Sequence, residues 1–289
     1  MQVNSIWRNP MQSDSMSSDS IPSGLMPSDS MTSHSDANIN RVTTTILGTR
    51  IDALSWEQLL GRIVRWAQAG QSRMICLCNV HSVVTAKHDA ALANALKQAD
   101  LNLPDGAPIA WLMRQRSWPE QQRLSGPDLM WQLMREAEKL QLSVFLMGAT
   151  PATLGRLRRV LSHAFPRLMI AGSLSPPFRP LNELEQCGFV DQINRSGASI
   201  VLLGLGCPKQ EIWMAERGNT IRAVMVGVGA AFDYHAGSLR RAPPVWQRIG
   251  LEWLYRLLQE PRRLARRYLL TNTLFLLALP AELWRSRQR

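Results

Sequence analysis

From residue 74 to residue 229 the chain repeats one pattern, a short apolar run followed by a longer amphipathic segment. The apolar runs are MICLCNV, DLNLP, SVFLMGA, LMIAGSL, SIVLLGLG and AVMVGVG. Between them lie HSVVTAKHDAALANALKQA, DGAPIAWLMRQ, DLMWQLMREAEKLQ, PATLGRLRRVLSHAF, NELEQCGFVDQINRS and PKQEIWMAERG. Apolar runs of this length, alternating with helical segments of mostly about 10–15 residues, read as strands joined by helical crossovers. Such crossovers join parallel strands and cover both faces of a sheet. The expected fold is therefore α/β, a parallel Rossmann-like sheet flanked by helices.

The flanking segments differ from this block. VTTTILGTRI is β-rich, and Ser55 with Gln58 three residues later is a capping box that starts a helix. After Gly237 no strand-like run recurs. That stretch is helical and rich in Trp and Arg, and Pro243, Pro244, Pro261 and Pro280 divide it into about three short helices. Residues 1–40 carry a five-residue pattern (MQSDS, MSSDS, IPSGL, MPSDS, MTSHS) too polar to bury a core. They are expected to be disordered and without chemistry. The expected organisation is a tail over 1–40, an α/β core over 41–239 and a basic helical appendage over 240–289.

Charge is placed unevenly along the chain. The net charge is +11, and residues 240–289, with eleven Arg, no Lys and three Glu, carry +8 of it. An acidic partner for this part is expected, whether anionic lipid, phosphate or nucleic acid. No stretch of 18 apolar residues occurs, and no charged segment followed by an apolar one marks a signal peptide. Cys76, Cys78, Cys187 and Cys207 lack metal-ligand spacing, so reduced thiols are expected and zinc is not. Cys76 and Cys78 fall on one face of a strand.

In an open parallel sheet, ligands bind at the carboxyl ends of the strands. Four loops qualify. Asn79, after MICLC, offers a donor and an acceptor, and equally suits a helix N-cap. Asp105, in Pro104-Asp105-Gly106, puts a carboxylate at the sheet rim, where it is either a general base or ordinary turn chemistry. Gly204-Leu205-Gly206-Cys207-Pro208-Lys209-Gln210 combines glycines, a helix start and one of only four lysines, a setting that favours an anion. Gly227-Val228-Gly229-Ala230-Ala231-Phe232-Asp233 ends on a carboxylate suited to ribose hydroxyls or to a cap. Together the two glycine-bearing ends point to one cleft for a nucleotide or a phosphorylated sugar.

Several segments, in order and over roughly residues 43–280, resemble the WecG/TagA/CpsF glycosyltransferase family. They are NVHSVVTAKHDAALANALKQADLNLPDGAPIAW, RLSGPDLMWQL, VFLMGATP, VLLGLGCPKQEIWM, VGVGAAFDYHAGSLRRAP and GLEWLYRLLQEPRRLARRYL. The resemblance implies inverting transfer of an N-acetylhexosamine-type or related sugar from a UDP-sugar to a polyprenyl-diphosphate-linked glycan, in cell-surface polysaccharide synthesis. It implies Asp105 as general base, Asn79 beside the acceptor hydroxyl, and Gln210 and Asp233 as nucleotide contacts, and Gly206, Lys209 and Gly229 of the two glycine-bearing loops complete the expected nucleotide site. It also implies a cytoplasmic enzyme, peripheral on the inner face of the bacterial plasma membrane. Many members carry Thr where this chain has Leu77, which either alters substrate contacts or leaves that role to Cys78 or His81.

Inversion requires one displacement at the anomeric carbon, with a base for the acceptor proton and positive charge for the departing UDP. No D-x-D pair occurs, so no metal cofactor is expected. Arg240, Arg241, Arg248 and Arg256 are the candidates for the diphosphate or the membrane surface. Trp246, Ile249, Trp253, Leu254 and Leu257 recur at helical spacing, which suits a membrane interface or a packed core. A dehydrogenase needs a G-x-G-x-x-G turn after its first strand, and that turn is missing. The tail's Trp and Leu suit lipid better than nucleic acid, so no nucleic-acid partner is expected. A homo-oligomer is compatible with the sequence.

Overall fold

The structure, a computed structural model, describes residues 42–116 and 118–287. The tail expected over 1–40 lies outside the described residues. β1 (Thr43–Ile46) and β2 (Thr49–Asp52) form an antiparallel hairpin turned by Leu47 and Gly48, both at positive φ. That backbone twist matches the twist of the paired strands. α1 (Trp56–Gln68) then starts at the Ser55–Gln58 capping box, with Ser55 Oγ accepting the Gln58 N–H and Gln58 Oε1 accepting the Ser55 N–H.

The six apolar runs become β3 (Arg73–Cys78), β4 (Leu101–Pro104), β5 (Val144–Gly148), β6 (Ile170–Leu174), β7 (Ile200–Gly204) and β8 (Val224–Gly227). They form one sheet in the order β4-β3-β8-β7-β5-β6, and every pair is parallel. The expected α/β class holds. Intervening helices are α2 (Val80–Ala86), α3 (Ala90–Gln98), α4 (Ala107–Arg114), α5 (Gly126–Lys139), α6 (Pro151–Ala164), α7 (Glu183–Arg195), α8 (Lys209–Arg217) and α9 (Ala231–His235).

The period of two along each strand divides the interior into two cores. Ile75, Leu77, Leu146, Leu202 and Val226 face α1, α5 and α6. Met74, Cys76, Cys78, Val201, Leu203 and Met225 face α2, α3 and α8. Cys76 and Cys78 thus share a face, as their spacing predicts, and burial raises both thiols well above the usual thiol range.

Two expectations are corrected. The segment 81–99 is two helices, because the Asp89 side chain accepts the Leu92 N–H at 3.0 Å and starts α3 afresh. Pro280 does not end a helix. The appendage consists of α10 (Pro244–Arg248), α11 (Glu252–Gln259) and a long α12 (Pro261–Arg287) that runs through it. A helix-internal proline costs about 3 kcal/mol, and here packing on both sides of it outweighs that cost. On one side Phe275 is buried against the second core. On the other, Glu282 is 2% exposed and bonds Arg116, which also reaches Thr44 and the Thr45 carbonyl of the hairpin.

Arg116 therefore ties α12 to the hairpin through a buried ion pair. Removing one member of such a pair leaves the other buried and uncompensated. Arg116→Met is expected to destabilise the protein by about 3 kcal/mol, read as a fall in melting temperature of about 6–12 °C. An unchanged melting temperature would show that the pair does not hold the appendage.

Candidate active site

The carboxyl ends of β3, β4, β5, β7 and β8 open into one cavity of about 1140 Å³, roofed by parts of α11 and α12. Its lining includes Asn79, Asp105, Gly206, Lys209, Gln210, Gly229 and Asp233, each on a loop that the sheet rule singled out. The fold thus gathers segments more than 100 residues apart at one rim.

Asp105 stands where β4 ends. Its N–H donates to the Cys78 carbonyl at 3.0 Å, which carries the sheet ladder one step past the strand. Gly106 then takes φ +82°, a left-handed turn that frees α4 to leave the rim. Asn79 combines the two roles open to it. Its Oδ1 caps α2 by accepting the Ser82 N–H at 3.2 Å, and its Nδ2 donates to Asp105 Oδ2 at 3.3 Å. Capping aims the amide and so orients the carboxylate. Burial raises the Asp105 carboxyl above the usual carboxylate range, and the nearby Glu252 charge adds to this. The Asn79 hydrogen bond, the Arg123 charge and the Gly106 N–H offset that shift only in part.

The glycine-bearing loops differ in detail from a simple nucleotide cradle. Gln210 is 3% exposed, and its Oε1 accepts the N–H of Gly206 at 3.3 Å and of Gly229 at 3.2 Å. Its Nε2 donates to Glu211 Oε1 at 2.8 Å. Gln210, expected at the nucleotide, lines the cavity and joins the two loops through its Oε1. Lys209 is exposed on the cavity wall. Asp233 is half-buried, and burial raises its carboxyl against the opposing charges of Arg256 and Arg263.

The arginines sort clearly. Arg256 lines the cavity, lies over the Tyr234 ring at 5.7 Å and is 3.7 Å from Glu260. Arg240, Arg241 and Arg248 are not among the lining residues. Arg240 is exposed and holds Gln259 through its backbone, and Arg248 is exposed on α10. Arg241 makes two 2.6 Å hydrogen bonds to Asp128. Burial pushes the Asp128 carboxyl up, but Arg241, Ser125 and Arg123 outweigh it and hold that group below its usual range. Of the four candidates for the diphosphate or the membrane surface, Arg256 is thus the one that lines the cavity, while Arg240 and Arg248 are exposed outside it and Arg241 is paired with Asp128. The sequence reading missed Arg123, Arg263 and Arg267, which do line the cavity. Arg123 bonds Glu252 of α11 at 2.5 Å, and the Nε of both Arg256 and Arg267 is buried without a hydrogen-bond partner. For Arg263 and Arg267 the signal was the QEPRRLARR run, too dense in Arg to rank by position, and Arg123 lies outside it.

Of the residues considered in place of the missing threonine, Cys78 faces the second core, away from the cavity. His81 lines the cavity, with Nδ1 3.2 Å from Thr85 Oγ1. Burial and the Arg267 charge push its pKa down to about 4, against a hydrogen bond to the Cys207 carbonyl. At neutral pH it is an uncharged, oriented imidazole. Leu77 is buried beneath the cavity, close to Gly126. Among the described residues, no three His, Cys, Asp or Glu side chains gather to hold a metal ion.

The raised Asp105 carboxyl has a consequence for stability. A carboxyl whose pKa is higher in the folded chain binds more protons there than when unfolded, so stability falls as pH rises through that interval. At neutral pH the ionised Asp105 is a cost. Asp105→Asn is expected to raise the melting temperature at pH 7, with the gain shrinking toward pH 4 or so. A lower melting temperature for the variant at pH 7 would contradict this assignment.

The comparison with known families agrees with the geometry. The model of the glycosyl transferase WecG/TagA/CpsF family matches residues 44–289, from the hairpin through α12. A parallel sheet, a large rim cavity, an oriented carboxylate and a basic roof all fall inside that span. The chain belongs to the WecG/TagA/CpsF family of glycosyltransferases.

Proposed function

We propose that this glycosyltransferase moves an N-acetylhexosamine-type or related sugar from a UDP-sugar to a polyprenyl-diphosphate-linked glycan, with inversion, in cell-surface polysaccharide synthesis. The observation that carries the reading is the Asp105 carboxylate at the cavity, raised by burial and held by Asn79. A base with a raised pKa holds an acceptor proton better than an ordinary carboxylate. Asp105 takes the proton of the acceptor hydroxyl, whose oxygen forms the new bond at the anomeric carbon. The bond to the UDP oxygen breaks, and UDP leaves with the electron pair.

The departing diphosphate needs positive charge. Arg256 and Arg267 line the cavity, and each has a buried Nε without a hydrogen-bond partner. In this reading they supply the stabilisation that a metal provides elsewhere, and no metal cofactor is essential. Asp233 is suited to the ribose and Lys209 to the phosphates.

The surface of α10–α12 supports work at a membrane. Val245, Ile249, Leu258, Leu269 and Leu277 are exposed beside exposed Arg248, Arg262 and Arg266. Apolar side chains interleaved with arginine suit an interface of anionic headgroups. Among the described residues no helix is long and apolar enough to cross a membrane. A peripheral position on the inner face of the bacterial plasma membrane fits this surface, and it brings the cavity to a lipid-linked acceptor.

The test is UDP release from a panel of UDP-sugars with detergent-solubilised polyprenyl-diphosphate–sugar acceptor. Release is expected to require acceptor, survive EDTA, and fall by about a thousandfold in Asp105→Asn. Its acid limb is expected above the usual carboxylate range. It moves to higher pH in Asn79→Ala, which loses a bond to the carboxylate, and to lower pH in Glu252→Gln, which loses a repelling charge. Release unaffected by Asp105→Asn would remove Asp105 as base, and loss with EDTA would contradict the arginine assignment.

A further inference from the structure

We propose that Gln210 is a positioning residue that pins the two glycine-bearing strand ends to each other and so sets the shape of the cavity between β7 and β8. The donor-sugar reading above supplies the identity of the ligand, and the staple itself stands on hydrogen bonds within the protein.

An amide oxygen has two lone pairs. Here both point at backbone, one at the Gly206 N–H after β7 and one at the Gly229 N–H after β8. The two glycines belong to different strand–helix units but meet on one atom. The amide cannot be turned round, because its nitrogen faces Glu211 Oε1 at 2.8 Å and a flip would set oxygen against oxygen and N–H against N–H. Gly227 completes the fit. A Cβ at that position would lie 3.0 Å from Gln210 Nε2, so the bare backbone makes room for the amide.

Glu211 holds the other end. It is 1% exposed, and burial raises its carboxyl against the hydrogen bond from Gln210. The Gln210–Glu211 pair thus fixes the first turn of α8 and both loops as one unit. Two consequences follow for a bound diphosphate. The N–H groups of Gly206 and Gly229 are engaged by Gln210 and are not its ligands. The remaining groups of the two loops are held at one fixed separation, which pre-organises the cavity for the donor.

The test combines amide hydrogen exchange over residues 204–207 and 227–230 with donor kinetics of the full chain. Gln210→Ala is expected to speed exchange in both segments together. It should raise the donor KM about tenfold, with kcat and the acceptor KM changed far less. The exchanged pair, Gln210→Glu with Glu211→Gln, keeps two acceptor sites for the glycines and a donor–acceptor contact between the side chains. It is expected to restore both protection and donor KM. Gln210→Glu alone sets two buried carboxyls against each other. Protection is then expected at acidic pH, where they share a proton, and lost as pH rises, a profile the wild type lacks.

Exchange that speeds up in only one segment, or no restoration by the exchanged pair, would overturn the staple. If Gln210→Ala does not fold, protection factors in Gln210→Glu that stay constant with pH, once the intrinsic pH dependence of amide exchange is divided out, overturn it as well. Absence of UDP release by the wild type would count against the donor reading alone, because exchange at the two segments is measured without ligand.

Discussion

A parallel sheet covered by helices on both faces leaves its polar groups only one place to gather, the strand ends. Here the strand interiors are occupied by Val, Leu, Ile, Met and two inert thiols. The charged groups of the cavity, Asp105 and Asp233 among them, are displaced to the carboxyl-end rim, while Asp52 and Glu282 are buried elsewhere against Asn102 and Arg116. The chemistry of this protein depends on that displacement. Once the order β4-β3-β8-β7-β5-β6 is set, Asn79, Asp105, Gly206 and Gly229 come to one cavity without any of them being close in sequence.

The rim groups are then held by one another rather than by solvent. Asn79 both ends a strand–helix turn and orients the Asp105 carboxylate, so one residue serves the local structure and the site together. Arg123 acts similarly at a larger scale. It lies near enough to Asp105 to oppose the rise of its pKa, and it bonds Glu252 of the appendage. Asp128, Arg241 and Glu252 extend that network, with Arg241 between the two carboxylates. The appendage is thus joined to the electrostatics of the site as well as covering it. On the far side Arg116 and Glu282 anchor α12 to the hairpin.

This arrangement explains why the basic charge of the tail divides into kinds. Arg241 is a structural cation matched to the Asp128 carboxylate. Arg256 and Arg267 line the cavity, Arg256 with Glu260 3.7 Å from its Nε. Arg248, Arg262 and Arg266 are exposed among leucines on the outside. A run of arginines can meet these demands together because successive helical positions point in different directions. The same rotation explains why exposed apolar groups on α10–α12 are interleaved with exposed arginines.

The sequence by itself determined the fold class, since strands and helical crossovers have different hydrophobic periods and those periods are visible in one dimension. It also determined which loops form the rim, and the Ser55–Gln58 cap, because both follow from local pattern. Tertiary structure alone decided what each rim side chain does. Only the fold shows that two loops from different units meet on the Gln210 oxygen. Arg241 looked like a diphosphate group until Asp128, 113 residues away in the chain, was found against it. Pro280 looked like a helix end until packing on both sides outweighed its local cost. Hydrogen bonds and ion pairs between distant segments leave no periodicity in the chain, so only the folded arrangement reveals which partners a polar side chain has met.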